Sequence, residues 1–333
     1  MDGTRATGIA LVVVSAIAFG SGGLFAKPAY EAGVDWMTLM AWRFAIGGGL
    51  AWLVLAFRPS ARRALRTLPR RTVLGAIGLG VFYVTNTATY YAGLQTVPLG
   101  LAALIVYLYP PIVAVLALRL GRPLQGRRAW GALGIAVLGV ALAVGGIDPS
   151  ADIPPEGLLL IMASPVFYSI WIILAARLSG ERRGHVGSDA EEGAAASAIG
   201  AVMLTSTGVV YWVVALAIGH PVLPSTIPAD AWPAIIGVAL VAGFVPVQAF
   251  YAGAQRIGAA QASLVSTIEP LWTIVAAGVI FGERLEPVQL AGGALILAGV
   301  VLAQTGRPRG ADATDGADDE PLLPQPVVRL AED

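Results

Sequence analysis

Cysteine is absent from the 333 residues, and histidine occurs only twice. Without a thiol there is no disulfide framework, no thiolate metal site and no cysteine nucleophile. Charge is the second shortage. Asp, Glu, Lys and Arg together make up 13% of the chain, about half the share of an ordinary soluble domain. Lys and Arg number 21, as do Asp and Glu, and the formal net charge is zero, so bulk electrostatics offers no nucleic-acid partner. Phosphate-binding loops are missing too: the glycine pairs lie inside apolar stretches, with no preceding strand pattern and no following lysine. With no acid–base or metal cluster, the expectation is no enzyme, no catalytic residue, no metal and no cofactor.

Apolar length is what the chain has in excess. Hydrophobic residues are 56% of it, and 41 glycines come on top of that; the mean hydropathy is +0.74. Crossing the hydrocarbon of a bilayer as helix takes roughly 20 apolar residues. Runs of that kind fall at 8–26, 36–57, 72–94, 99–118 and 128–146, and again at 156–176, 194–218, 231–254, 259–281 and 288–304. Helix is the expected element, because lipid offers no partner to a free backbone group. The expected fold is an all-α integral membrane protein with ten transmembrane helices.

Positive charge orients those helices. Arg5, Arg256, the loop with Arg58, Arg62, Arg63, Arg66, Arg70 and Arg71, the loop with Arg119, Arg122, Arg127 and Arg128, the loop with Arg177, Arg182 and Arg183, and the tail arginines Arg307, Arg309 and Arg329 all fall on one side. Only Lys27 and Arg284 fall on the other, and Arg43 lies within a run. Cytoplasmic loops retain Lys and Arg, so both termini are expected in the cytoplasm of a cell whose inner membrane the chain spans. His185 and His220 then lie on opposite sides and cannot share a metal. Gly8 to Phe19 after Arg5 is expected to be a retained helix and not a signal peptide, because the apolar run continues to Ala26 without an Ala-x-Ala exit. From Gly306 the chain is rich in Pro, Gly and Asp, and residues 306–333 are expected to be a disordered acidic tail.

The halves resemble each other. Tyr91-Ala92-Gly93-Leu94-Gln95 matches Tyr251-Ala252-Gly253-Ala254-Gln255 at a shift of 160, and at the same shift Ala102 meets Ala262, Leu104 meets Leu264 and Pro110 meets Pro270. After a one-residue slip around Gly121 and Gly282, Gly139-Val140 falls on Gly299-Val300. Each half has five expected spans, an odd number, so the second enters the membrane in the opposite sense. Two inverted five-helix repeats, 1–147 and 156–305, suit alternating access around a site at their interface.

Several stretches carry a family resemblance. Ser266-Thr267-Ile268-Glu269-Pro270, Phe281-Gly282-Glu283-Arg284-Leu285, Gln289 and Gly292-Gly293-Ala294-Leu295-Ile296-Leu297-Ala298-Gly299 resemble the EamA-type repeat of the drug/metabolite transporter superfamily. Trp42-Arg43-Phe44 resembles that family's Arg-Phe pattern. The first half departs from it: Arg122 stands where the Gly-Glu motif places an acid, and Tyr109 precedes Pro110 where Glu269 precedes Pro270. The resemblance implies a small-molecule carrier in which runs one, three, four, six, eight and nine line a central cavity, with five and ten at the rear.

Arg43 and Glu269 are the charges hardest to place in lipid. An arginine about seven residues into a span costs at least about 2.5 kcal/mol unless it finds a partner, water or the headgroups. It is either an anion contact or a snorkelling side chain. Glu269, eleven residues into its run, is too short to snorkel, so it is protonated or faces water or a cation. It is the candidate for proton coupling, with a purely structural acid as the alternative. Tyr83, Asn86 and Tyr90 share one helical face, as do Gln248, Tyr251 and Gln255. With Tyr107, Tyr168 and Trp171 they can form a mixed polar and aromatic pocket, or simply hydrogen-bond between helices. The expected substrate-binding set is Arg43, Asn86, Tyr90, Tyr107, Tyr168, Trp171, Gln248, Tyr251 and Glu269. Gly131, Gly134, Gly139, Gly292, Gly293 and Gly299 are expected to let runs five and ten pack closely, and Lys27, Glu283 and Arg284 to sit at span ends.

The expected function is export of small metabolites, amino acids or related polar solutes, by a monomer or weak homodimer in contact with the lipid bilayer and with protons as a coupling partner. Export follows from the resemblance alone. The alternatives are uptake or exchange of sugars, nucleosides or quaternary amines, a lipid-precursor flippase, and a non-transporting scaffold.

Overall fold

A computed structural model describes residues 3–118, 126–145, 153–178, 189–257, 265–266 and 268–304. Every regular element among them is helical. The stretches carrying Arg119 and Arg122, Arg182 to His185, and the tail from Gly306 lie outside the described residues.

Five helices are long and apolar enough to cross a membrane: Arg5–Glu31, Trp36–Phe57, Arg70–Gly93, Pro155–Ala175 and Ser197–Ala217. Five more, Leu99–Val113, Trp130–Val144, Ala229–Phe244, Ile268–Phe281 and Pro287–Leu302, are apolar but shorter. Large apolar side chains face outward on them, Val279 at 80% and Leu159 at 65% exposure among them, as lipid-facing residues must.

Within the expected runs the backbone breaks where the sequence removes a hydrogen bond or a side chain. The first run splits at Ser21 into α1 (Gly3–Gly20) and α2 (Gly22–Glu31). α3 (Trp36–Phe57) is unbroken and starts on an Asp35 cap, whose carboxylate accepts from the backbone N–H groups of Met37 and Thr38. The stretch after it, expected as a loop, is instead a short helix, α4 (Pro59–Thr67). Proline at its first turn suits a helix start, and Ala61, Ala64, Leu65 and Leu68 give it an apolar face that packs on Leu55, Ala194, Ala198 and Ala201. α5 (Arg70–Gly93) follows. The fourth run is two pieces, α6 (Leu99–Val106) and α7 (Tyr109–Leu118). Pro110 and Pro111 have no N–H to give to Val106 and Tyr107, so an unbroken ladder cannot cross that point.

α8 (Gly126–Gly145), α9 (Pro155–Leu178) and α10 (Asp189–Ala217) are continuous. The eighth run comprises α11 (Trp232–Ala239), a π-helical turn at Leu240–Phe244 and α12 (Val245–Ile257). α13 (Ile268–Phe281) and α14 (Pro287–Gln304) complete the described helices.

Positions matched by the 160-residue shift make matched contacts. A Cβ on Gly93 would stand 2.7 Å from the Gly157 carbonyl, joining α5 to α9, and one on Gly253 2.8 Å from the Gly8 carbonyl, joining α12 to α1. A Cβ on Gly139 would stand 2.5 Å from the Gly292 carbonyl, one on Gly292 2.4 Å from the Gly139 carbonyl, and one on Gly299 2.7 Å from the Ala132 carbonyl, so α8 and α14 approach backbone to backbone. Gly131 and Gly134 depart from their expected packing role: a Cβ on either meets nothing within 4 Å. They sit on the faces of α8 turned away from α14.

Buried hydroxyls stitch the helices together. Ser15 donates to the Pro246 carbonyl at 2.7 Å, Thr207 to the Gly80 carbonyl at 2.8 Å, and Thr273 to the Gly20 carbonyl at 3.0 Å. Such bonds contribute about 0.6 kcal/mol each between helices in a membrane.

Candidate functional site

Arg43 projects from α3 into the bundle. Its guanidinium donates to the Tyr91 hydroxyl and lies over the Tyr91 ring at 5.0 Å and the Phe44 ring at 5.6 Å. It also donates to the Ala242 carbonyl at 3.4 Å. That carbonyl is available because the residue four positions on is Pro246, which has no N–H to return. A single π-helical turn, Leu240–Phe244, surrounds it, a local geometry frequent at functional sites. Arg43 is thus anchored between α5 and the eighth run by groups inside the protein. Among the described residues two acceptors engage its five N–H donors, which leaves donor capacity over.

Glu269 lies in the first turn of α13, followed by Pro270. The Tyr107 hydroxyl donates to its carboxylate. Tyr107 occupies the break between α6 and α7, where the proline pair has interrupted the helix. Tyr109, Tyr168 and Tyr90 all stand within electrostatic reach of Glu269. A carboxylate at a helix start, beside a discontinuous helix and ringed by phenols, can accept a hydrogen bond from a cationic or protonated group.

An aromatic wall connects the two charges. Tyr107 lies 5.8 Å from Tyr109, Tyr109 4.9 Å from Tyr168, and Tyr168 stacks on Trp171 at 5.9 Å. Trp171 meets Tyr83 at 4.8 Å, and Tyr83 meets Phe44, beside Arg43, at 6.0 Å. Tyr90 closes the circuit: it packs on Tyr91 at 5.1 Å and is within electrostatic reach of both Arg43 and Glu269. Arg43 and Glu269 form no ion pair with each other among the described residues. Trp171 Nε1 is buried without a hydrogen-bond partner among the described residues, an arrangement that costs about 1–3 kcal/mol until an acceptor arrives.

Of the expected binding residues, the structure gathers Arg43, Tyr90, Tyr107, Tyr168, Trp171 and Glu269 around this wall. Asn86 is buried and accepts from the Ser164 hydroxyl at 2.9 Å, tying α5 to α9. The side chains of Gln248 and Tyr251, and that of Gln255, lie outside the described residues. Sequence reading missed Tyr91, Tyr109 and the Ala242 carbonyl. A signal for the last was present, since Pro246 frees it. Nothing local distinguishes Tyr91 from its neighbour.

At the end of the bundle where α2 hands over to α3, Lys27 and Glu283 form an ion pair. Glu283 also accepts from the backbone N–H groups of Leu99 at 3.0 Å and Gly100 at 2.8 Å, the free donors at the start of α6. One carboxylate therefore joins α2, α6 and the turn after α13, which Gly282 makes with φ +67. A cavity of ≈ 300 Å³ opens beside the pair, lined by Leu94 to Pro98 and Ile153. At the same end the His220 ring N–H donates to Asp35 Oδ2 at 2.7 Å. Burial pushes the Asp35 carboxyl up, but the hydrogen bonds from His220 and Thr38 outweigh it and hold the carboxyl below its ordinary range.

Apolar helices of spanning length, outward-facing hydrophobic residues and an internal polar and aromatic site define a multi-pass membrane transporter. A family model for the EamA-like transporter family matches residues 6–145 and again residues 155–305. The chain belongs to that family, and with it to the drug/metabolite transporter superfamily. An uncharacterized transporter of Archaeoglobus fulgidus is 27% identical over 296 residues, covering 89% of this chain and 96% of that one. The uncharacterized transporter YcbK of Bacillus subtilis is 24% identical over 290 residues, covering 86% and 89%. A solved crystal structure shares the fold with a TM-score of 0.59 at 17% identity, over 90% of this chain and 96% of that one.

Proposed function

We propose that the chain is a ten-span carrier of two inverted five-helix halves in the inner membrane, both termini cytoplasmic, that exports amine-bearing polar solutes, amino acids foremost, by alternating access. The observation that carries this reading is the unbroken run of ring contacts from Tyr107, which donates to Glu269, through Tyr109, Tyr168, Trp171 and Tyr83 to Phe44, beside Arg43. A zwitterion needs a cation for its carboxylate and an anion for its ammonium, and one aromatic-walled region supplies both. The remaining donors of Arg43 bind the carboxylate, Glu269 the ammonium, and Tyr90, Tyr107, Tyr168 and Trp171 pack on the side chain. Glu269 then exchanges substrate for a proton, because a carboxylate in hydrocarbon is stable only when a proton or a cation accompanies it.

The support for the inverted arrangement is the pair of matched glycine contacts at the 160-residue shift and the two separate family matches. One observation favours a second reading. Arg43 is already engaged by Tyr91, Phe44 and Ala242, which would leave Glu269 and the tyrosines as a cage for a quaternary or primary amine without a carboxylate.

Proteoliposomes loaded with labelled amino acids and with choline-like amines test both. The zwitterion reading expects amino-acid efflux driven by an inward proton gradient. Arg43→Ala should slow it at least about tenfold, and Glu269→Gln should remove its dependence on the gradient. Amine efflux that is untouched by Arg43→Ala, with no amino-acid efflux, would select the second reading. Unchanged efflux in both variants would sink the two together.

A further inference from the structure

We infer that α4 and the residues flanking it form a docking surface for the phosphate headgroups of anionic phospholipids. Arg58, Arg62, Arg63, Arg66, Arg70 and Arg71 lie within fourteen residues and are all exposed. None of their side chains hydrogen-bonds or ion-pairs with any described residue. The sequence around them holds no counter-charge, since no Asp or Glu occurs between Asp35 and Asp148. The first turn of α10, the helix on which α4 packs, carries three acids, Asp189, Glu191 and Glu192, against six arginines. Six like charges on one short segment repel each other, and an anionic surface against them relieves that repulsion.

The position of the segment identifies that anion. α4 is fixed to the protein body through Ala61, Ala64, Leu65 and Leu68 on Leu55, Ala194, Ala198 and Ala201, so its basic face cannot fold back on the bundle. Before it, Phe57 ends a membrane-length helix at 78% exposure; after it, Leu74 lies in the second turn of the next at 67%. Those apolar residues face lipid chains, which leaves the arginines between them at the depth of the headgroups. A basic amphipathic helix at the end of a span is the arrangement that recruits anionic lipid. All six are arginine, as are 20 of the 21 basic residues of the chain. The guanidinium fork holds two phosphate oxygens at once, where an ammonium is a point charge. The buried face of α4 and its exposed basic face thus make a clamp between α10 and the lipid surface.

The test uses the purified full-length protein in maltoside micelles, followed by thermal unfolding through tryptophan fluorescence. Phosphatidylglycerol is titrated in, with phosphatidylcholine and sodium phosphate as the comparisons. The expected result is a midpoint that rises with phosphatidylglycerol and with neither of the others. Raising salt from about 0.1 M to about 1 M shrinks the Debye length from ≈ 10 Å to 3 Å and should abolish most of the rise. The triple variant Arg62→Gln, Arg63→Gln, Arg66→Gln should need at least about tenfold more phosphatidylglycerol for half the effect, with an unchanged midpoint in phosphatidylcholine because all three side chains are exposed. If that variant unfolds, single Gln substitutions at Arg58, Arg62 and Arg70 should each raise the half-effective concentration by a smaller step. Equal stabilisation by phosphatidylcholine would overturn the proposal, as would a variant series that responds like the parent. An effect reproduced by inorganic phosphate would also overturn it, since the surface would then be a free-anion site. None of these readouts depends on which solute is carried.

Discussion

Glu283 holds a cation and two backbone donors at once, which makes it a different kind of residue from its partner Lys27. Removing the carboxylate leaves Lys27 unpaired and strips the start of α6 of its cap, so two losses coincide. Removing Lys27 leaves Glu283 with both N–H donors still in place. Glu283→Ala should therefore cost about 1–3 kcal/mol, and Lys27→Ala about 1 kcal/mol or less, since that pair is partly exposed. Thermal unfolding of the two variants in detergent checks the order; equal losses would mean that the cap contributes nothing. The sequence placed both residues at span ends but could not pair them, because 256 positions separate them and Gly282 must turn the chain before they meet. Arg43 was legible for a different reason. A lone charge inside an apolar run needs a partner whatever the fold, whereas that partner, Tyr91, looks like any other tyrosine until α3 and α5 are side by side.

At the scale of the helix, the contact between α8 and α14 is made of backbone against backbone. A Cβ at Gly292 would sit 2.4 Å from the Gly139 carbonyl, and no rotamer change can relieve a clash with main chain. Gly292→Val should push the helices apart and destabilise by about 1–3 kcal/mol. Gly131→Ala faces open space and should be neutral or stabilise by up to about 1 kcal/mol through helix propensity. Midpoints of thermal unfolding for the pair decide it; a tolerated Gly292→Val would show that α8 and α14 are not in close contact. The glycine runs themselves advertised close packing, yet only some of them deliver it. Helical phase decides which face each glycine occupies, and the partner's position decides which of those faces is crowded. α4 shows the converse. Its arginine-rich composition suggested a loop, and only docking on α3 and α10 gives its four apolar residues a reason to align on one face.

For the molecule as a whole, orientation is the property most directly open to test, because the chain contains no cysteine to remove. A cysteine at Ser225, exposed in the turn after α10, should react with a membrane-impermeant maleimide added to intact cells. One at Ser60, exposed on α4, should react only after permeabilisation. These positions lie at opposite ends of the bundle, so the reverse pattern would invert the orientation, and labelling of both from outside would break the ten-span topology.

The sequence by itself determined the class of this protein: scarce charge and long apolar runs leave a bilayer as the only solvent in which such helices can satisfy their backbones. It also determined the repeat, through matched residues at a fixed shift, and the places where proline must interrupt a helix. Tertiary structure alone decided which tyrosines stand between Arg43 and Glu269, that Asn86 joins two helices, and that Lys27 belongs to Glu283. Periodicity assigns each residue to a face of its own helix, but the neighbour that face meets is set by packing between segments far apart in the chain, and no local pattern carries that information.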